Sequence, residues 1–413
     1  MIFRFGKLMK IILAVDNMSW IGGVERQVSY LANHLLRQNN KVFIVSVRTE
    51  EELNVNDVFY SLENGIVLKS ADKRLVTYPS RTIYRRLKRK LNTIYYTVVR
   101  KIGQYAYNIL KIPRFYYMAN IYKILKLKNL MVQINPDIVI TSMRYSITYM
   151  AFVTKTLKIP HIVVNVCDPV DYLKNNNNYK LINYAINISN KNVILHDCFL
   201  EYFPYSIRSK SVVIPRPVFY PHKTAIASPG NESSENVILS VGRMDDQKNH
   251  QLLIHAFKLL ADKYKNWIVK IYGWPAKRDQ MQDLINSLSL KDRVILYEPI
   301  KNINCEFQKA SIFAFPSLAE GLGNALMEAM AHNLPSVVLK NCKVPALLVT
   351  ESLGGLVADN NVSDYSSKLE ELITNPIKRN LMGENARNYV AKYNPEIINK
   401  KWEEIINLTI NDS

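Results

Sequence analysis

Residues 10–47 read KIILAVDNMSWIGGVERQVSYLANHLLRQNNKVFIVSV. Lys10–Asp16 is an apolar run of strand length, with no alternation to leave one face wet, which predicts a strand buried on both sides. Gly22 and Gly23 mark a tight loop. Beyond them Val24, Val28, Leu31 and Leu35 recur at i, i+4, i+7 and i+11, on one face of a helix. Lys41–Val47 is a second apolar strand. The order strand, glycine loop, helix, strand is the opening of a doubly wound parallel sheet, so the fold class is α/β.

The pattern continues outward. Asp137–Thr141, His161–Val166, Val193–Leu195 and Ser211–Pro215 read as further strands. The stretch 217–236 is polar and rich in Pro and Ser, and the boundary is placed there. A second set follows. Val237–Val241 is a strand, Gly242–Asn249 a loop and His250–Tyr264 a helix. Trp267–Tyr272, Val294–Leu296, Ile312–Phe315 and Ser336–Leu339 are strands, and a helix runs from near Gly323 to about His332. The expected organisation is one Rossmann-like domain over residues 1–216 and a second Rossmann-like domain over 217–394. A closing helix over 395–413 is expected to pack back toward the first domain. Two such sheets are expected to face each other across a cleft at the carboxyl ends of their strands, where open α/β folds bind ligands.

Composition narrows the classes. Of 413 residues, 48% are hydrophobic, which excludes a disordered chain. Cys167, Cys198, Cys305 and Cys342 form no CxxC pair, which argues against a disulfide framework and a structural zinc site and fits a reducing cytosol. His161, His196, His250 and His332 have no ligand spacing, and no Asp-x-Asp metal motif is present, so no cofactor and no metal are expected. No apolar run nears the roughly 20 residues needed to span a bilayer, and the N-terminus lacks a small-residue cleavage site. The net charge is +19, and all of that excess lies in residues 1–216. Such asymmetry points to a polyanionic partner for that half.

Three motifs carry chemistry. The first, EGLGNALME, spans Glu320–Glu328. Glu320 stands in a loop after an apolar strand and Glu328 in the helix that the loop opens. Gly321 and Gly323 allow close backbone approach, and the helix start offers N–H groups with partial positive charge. Such a loop can hold a nucleotide sugar, Glu320 accepting from sugar hydroxyls and Glu328 from ribose hydroxyls. From spacing alone, two ordinary helix-associated carboxylates are the alternative. The second motif, GRMDDQKN, spans Gly242–Asn249. Arg243 and Lys248 can turn together toward a ligand, Arg by a bidentate fork and Lys as a point charge, and both favour the charge that builds on a departing diphosphate. A solvated basic loop is the alternative. The third is Gly22-Gly23, whose amides and following helix start could meet phosphate.

Together these motifs resemble glycosyltransferase family 4, retaining enzymes of the GT-B fold. The resemblance is strongest from Val237 to Asp359, in VILSVGRMDDQKNHQLLIHAF and SIFAFPSLAEGLGNALMEAMAHNLPSVV. GGVERQ and IPRPV match in the first half, and NVCDPVDY and DCFLEYFPYSIRSKSVVIPRPV look like the branch that builds capsule and O-antigen polysaccharides. The resemblance implies a UDP-sugar donor and a lipid-linked saccharide acceptor of the undecaprenyl diphosphate type. It places Arg243 and Lys248 on the diphosphate, Glu320 on the transferred sugar and Glu328 on the ribose. It places Gly22 and Gly23 against phosphate, Asn324 and Ala325 as backbone donors, and Tyr297 to Ile300 beside the base. Asp168, in NVCDP, stands where relatives carry a more charged string, so its role toward the acceptor stays open. Another sugar-nucleotide enzyme of this fold, epimerase-like, and a non-catalytic basic membrane adaptor are the rival readings.

Residues 73–136 hold 15 Lys/Arg, no Asp or Glu, and nine tyrosines. Helical stretches over 81–128 carry a cationic cluster at Arg85, Arg86, Lys88, Arg89 and Lys90, then Ile94, Tyr95, Tyr96, Val98, Val99 and Ile102. Cations beside Tyr and aliphatic residues suit the headgroup region of an anionic membrane. A solvated basic helix pair is the alternative, and nucleic acid is not the expected partner. The expected location is cytoplasmic, peripheral at the inner face of a bacterial plasma membrane.

Overall fold

A computed structural model describes residues 8–49, 53–54, 57–71, 83–110, 112–166, 168–169, 176–219 and 236–413. The chain packs as two compact units, one of residues 1–214 with 399–413 and one of residues 215–398. Most of the expected linker, from 220 to 235, lies outside the described residues.

The first unit is a parallel sheet in the order β3-β2-β1-β4-β5-β6-β7. Its strands are β1 (Lys10–Val15), β2 (Lys41–Ser46), β3 (Val67–Ser70), β4 (Ile138–Ser142), β5 (His161–Asn165), β6 (Lys191–Ile194) and β7 (Ser211–Val213). Its helices are α1 (Gly23–Arg37), α2 (Ile83–Leu110), α3 (Pro113–Ala119), α4 (Ile121–Ile134), α5 (Arg144–Leu157), α6 (Asn176–Ile188) and the short α7 (Tyr205–Arg208). Every residue of β4 and β5 is buried, as a strand covered on both faces requires. Val28, Leu31 and Leu35 of α1 are buried as the periodicity predicts, while Val24 stays half-exposed and Glu25 takes a buried place instead. Strand order reverses between β1 and β4, which sets a switch point there.

The second unit is also parallel, in the order β10-β9-β8-β11-β12-β13. Its strands are β8 (Asn236–Val241), β9 (Trp267–Tyr272), β10 (Val294–Tyr297), β11 (Ile312–Phe315), β12 (Ser336–Leu339) and β13 (Gly355–Ala358). Its helices are α8 (His250–Ala261), α9 (Arg278–Ser287), α10 (Asn304–Lys309), α11 (Asn324–Ala331), α12 (Lys343–Ser352), α13 (Val362–Thr374) and α14 (Pro376–Val390). One core binds Phe257 of α8, Ile271 of β9 and Tyr365 of α13 into a single buried cluster. Each such fully buried aliphatic or aromatic side chain contributes roughly 1.5–3 kcal/mol. The switch point falls between β8 and β11, so the loops leaving those two strands are neighbours.

The closing helix α15 (Pro395–Asn411) supplies residues 399–411 to the first unit. Its Trp402 is buried and lines a small cavity with Leu13, Val28, Leu31, Ile140 and Val164. Glu403 meets His34 of α1 at 2.9 Å.

Two strands escaped the sequence reading. β3 is an edge strand with two exposed positions in four, and β13 is a four-residue Gly-led segment, so neither carries a long apolar run.

Candidate functional site

Two loops at the switch point of the second sheet make the site. The loop after β8 is shaped by its own polar residues. Asp245 Oδ1 accepts from the Lys248 amide at 3.1 Å, and the Met244 amide donates to the Trp274 carbonyl at 2.9 Å. Gly273 is required for that approach, because a Cβ there would sit 1.7 Å from the Gly242 carbonyl oxygen. Beneath the loop His250 is buried, its Nδ1 3.3 Å from the Ser240 hydroxyl and its Nε2 3.4 Å from the Gly242 carbonyl. Burial pushes its pKa down to about 4, so the ring is neutral and acts as a strut under the loop.

The loop after β11 is tied to the first by three contacts. The Leu318 amide donates to the Gln247 carbonyl at 2.9 Å, and Gln247 Nε2 donates to the Ala319 carbonyl at 2.7 Å. Lys248 Nζ donates to Glu320 Oε1 in an ion pair whose side chains are only 16% and 13% exposed. The same ammonium lies 5.7 Å from the Phe315 ring centroid. Arg243 is more open. Its guanidinium meets Asp245 Oδ2 at 3.1 Å and Gln247 Oε1 at 3.3 Å, both within its own loop.

Gly323 then turns the chain into α11 with φ +79°, a left-handed conformation that glycine adopts without strain. Asn324 and Ala325 open that helix, so their N–H groups have no intrahelical acceptor. The Asn324 side-chain carbonyl is buried and makes no hydrogen bond. Gly321 is buried in the loop. Glu328 lies one turn into α11, half-buried, and its carbonyl accepts from His332 Nδ1 at 2.7 Å.

Tyr297, at the end of β10, stacks on Tyr272 of β9 with centroids 4.5 Å apart and planes 9° apart. Ile300 and Trp274 are exposed in the loops after those strands. A cluster of Arg, Lys and Glu beside a helix start, with an aromatic shelf two strands away, can hold an anion, a polyol and a flat ring at one edge. Gln247, Phe315, Tyr272 and Trp274 were not singled out by sequence reasoning. Gln247 stands inside the GRMDDQKN motif, and its part shows only when the loops are seen side by side.

The remaining expected residues belong to the first unit. Gly22 caps α1 in an extended conformation and Gly23 begins it. Asp168 is buried, just beyond β5. Tyr95 is exposed on α2, whereas Tyr96 turns toward α4 and packs edge-on against Tyr122 at 6.0 Å. Arg85, Arg86, Lys88, Arg89 and Lys90 lie along α2, but their side chains fall outside the described residues.

Residues 222–389, all within the second unit, match the family model described as glycosyl transferases group 1. An uncharacterized glycosyltransferase of Haemophilus influenzae is 31% identical over 41% of this chain and 48% of its own. The N-acetylgalactosamine-N,N'-diacetylbacillosaminyl-diphospho-undecaprenol 4-alpha-N-acetylgalactosaminyltransferase of Campylobacter jejuni is 33% identical over 34% of this chain and 38% of its own. The matched segments thus span less than half of either relative. Sucrose-phosphate synthase from Thermosynechococcus elongatus superposes with a TM-score of 0.73 at 16% identity, covering 98% of this chain and 100% of that one. That likeness shows the fold: two Rossmann-like α/β domains of the GT-B type.

Proposed function

We propose that this chain is a retaining glycosyltransferase of family 4. It moves a hexose or N-acetylhexosamine from a nucleotide diphosphate sugar, with UDP the expected carrier, to a lipid-linked saccharide. The setting is assembly of a bacterial surface polysaccharide. The observation that carries this reading is the Lys248–Glu320 pair, which joins the two switch-point loops and sets a cation beside a carboxylate.

In this reading Arg243 and Lys248 receive the diphosphate, and their fixed charge stabilises the leaving group as its bond to the sugar breaks. Glu320 and the orphaned Asn324 carbonyl accept from sugar hydroxyls, the amides of Asn324 and Ala325 face phosphate, and Glu328 accepts from the ribose. The Tyr272–Tyr297 stack, with Ile300, borders the base. Gly22, Gly23 and Asp168 serve donor phosphate and acceptor from the first unit. The Campylobacter relative's name, with its diphospho-undecaprenol acceptor, supports the lipid-linked class.

Peripheral attachment to an anionic membrane is part of the same proposal. Tyr95, Val98, Ile102 and Tyr105 are exposed at i, i+3, i+7 and i+10 of α2, an apolar stripe flanked by exposed Arg100 and Lys101. Among the described residues no helix is long and apolar enough to cross a membrane.

The test is transfer itself. Purified protein is incubated with labelled UDP-, GDP- and ADP-sugars and a bacterial lipid-linked saccharide extract, and the product linkage is read by NMR. Transfer from a UDP-sugar with the donor's anomeric configuration kept is the expected result. Transfer from no donor, or an inverted linkage, contradicts it.

A further inference from the structure

The switch point of the first sheet carries its own charged feature. Trp20 stands in the loop after β1, Arg48 follows β2, and Arg144 and Tyr145 open α5 after β4. β2, β1 and β4 are neighbours, so these side chains emerge along one carboxyl edge, the edge at which doubly wound sheets take ligands. The Arg48 guanidinium lies 4.5 Å from the Tyr145 ring centroid and 5.7 Å from that of Trp20. The Arg144 guanidinium lies 4.9 Å from the same Tyr145 ring.

One phenol ring therefore holds two guanidiniums. Both are exposed, and neither has an ion-pair partner among the described residues. Asp16 feels both charges, yet it is buried and its Oδ1 accepts from the Ser146 amide at 2.8 Å, capping α5. It is committed to the helix start. Like charges drawn together on a fixed ring repel, and a bridging dianion removes that repulsion while gaining two forked sets of donors. Trp20, 41% exposed, adds a flat apolar face beside the cations. Tyr149 and Tyr116, stacked at 6.0 Å behind Tyr145, make the platform rigid.

We infer that Trp20, Arg48, Arg144 and Tyr145 form a second anion site, one that takes a phosphate or diphosphate joined to an apolar or saccharide group. The identity of the bearer rests on the proposed transfer reaction, in which the acceptor's lipid-linked diphosphate is the molecule with that chemistry. The anion site itself rests on the first unit alone.

The test uses the full chain carrying Arg243→Ala and Lys248→Ala, so that the donor loops take no anion. Calorimetry is run with inorganic pyrophosphate and with farnesyl diphosphate. Pyrophosphate binds this protein, and adding Arg48→Gln and Arg144→Gln weakens binding by roughly tenfold for each arginine removed, with the melting temperature unchanged. Farnesyl diphosphate held more tightly than pyrophosphate identifies a lipid-linked diphosphate, and equal affinity identifies a free phosphate; both depend on the two arginines. No pyrophosphate binding, or binding indifferent to Arg48 and Arg144, overturns the inference. UDP titration into the Arg48→Gln/Arg144→Gln protein with intact donor loops separates the two proposals. Retained UDP binding locates the loss in this site, whereas a wild-type chain that binds no UDP counts against the transfer reaction and leaves the pyrophosphate result standing.

Discussion

Lys248 and Glu320, 72 residues apart in sequence, share an ion pair over the ring of Phe315, with little of either side chain open to solvent. Removing one partner leaves the other's charge partly desolvated and alone, which is destabilising, while removing both costs less. Lys248→Met and Glu320→Gln are therefore expected to couple by about 1 kcal/mol or more in a double-mutant cycle on chemical unfolding of the second unit. Additive effects would show that the pair is not held in solution.

Turnover is the sharper readout of the same residue. Lys248→Ala is expected to lower transfer by about a hundredfold or more while the chain stays folded, because in the proposed reaction the lost charge acts on the leaving diphosphate. Near-normal kcat in that variant removes Lys248 from the mechanism.

Gly273 is a steric requirement of the loop after β8. A methyl group there collides with the Gly242 carbonyl, so Gly273→Ala must push the loop away from β9. The expected cost is about 1–3 kcal/mol of stability, with weaker UDP binding. Melting and titration check both, and an unchanged affinity would mean that the loop's position does not matter to the donor.

His250 sets a pH dependence. Its pKa in the folded chain is about 4, below the ordinary 6.5, so between those values the unfolded chain binds the proton that the folded chain refuses. Stability is unaffected by this group above pH 6.5 and falls as pH drops through that window, by up to about 1.4 kcal/mol per pH unit. His250→Gln is expected to flatten the acid decline of the second unit's melting temperature between pH 6.5 and 4.5. Identical slopes for the two proteins contradict the buried neutral imidazole.

The exposed stripe of α2 predicts lipid selectivity. Wild-type protein should float with anionic vesicles and far less with neutral ones, and replacing Tyr95, Val98, Ile102 and Tyr105 by serine should abolish the difference. Tyr96→Ser leaves flotation intact, since Tyr96 packs on Tyr122. Equal recovery on both vesicle types removes the membrane from the account.

Much of this architecture was legible in the sequence because it is written in runs. β1, β8 and β11 are continuous apolar segments followed by polar or glycine-bearing loops, and such segments can be little else in a parallel sheet. β3 and β13 were hidden because an edge strand needs no apolar run. In the site, Arg243, Lys248 and Glu320 were visible as motif residues, but their pairing was not. It depends on β8 and β11 being neighbours, a matter of strand order that local sequence does not encode. Gln247 was invisible for the same reason, since its side-chain amide crosses to Ala319 on the neighbouring loop. The cluster of Trp20, Arg48, Arg144 and Tyr145 draws on three separate connections and leaves no linear signature.

In the proposed reaction the loops after β8 and β11 of the second unit hold a nucleotide diphosphate. Isothermal titration of UDP, GDP and ADP into the wild-type chain and its Arg243→Ala/Lys248→Ala variant addresses it directly. Saturable binding of UDP that the double variant loses is the expected result. No nucleotide binding, or binding of equal strength in both proteins, contradicts it.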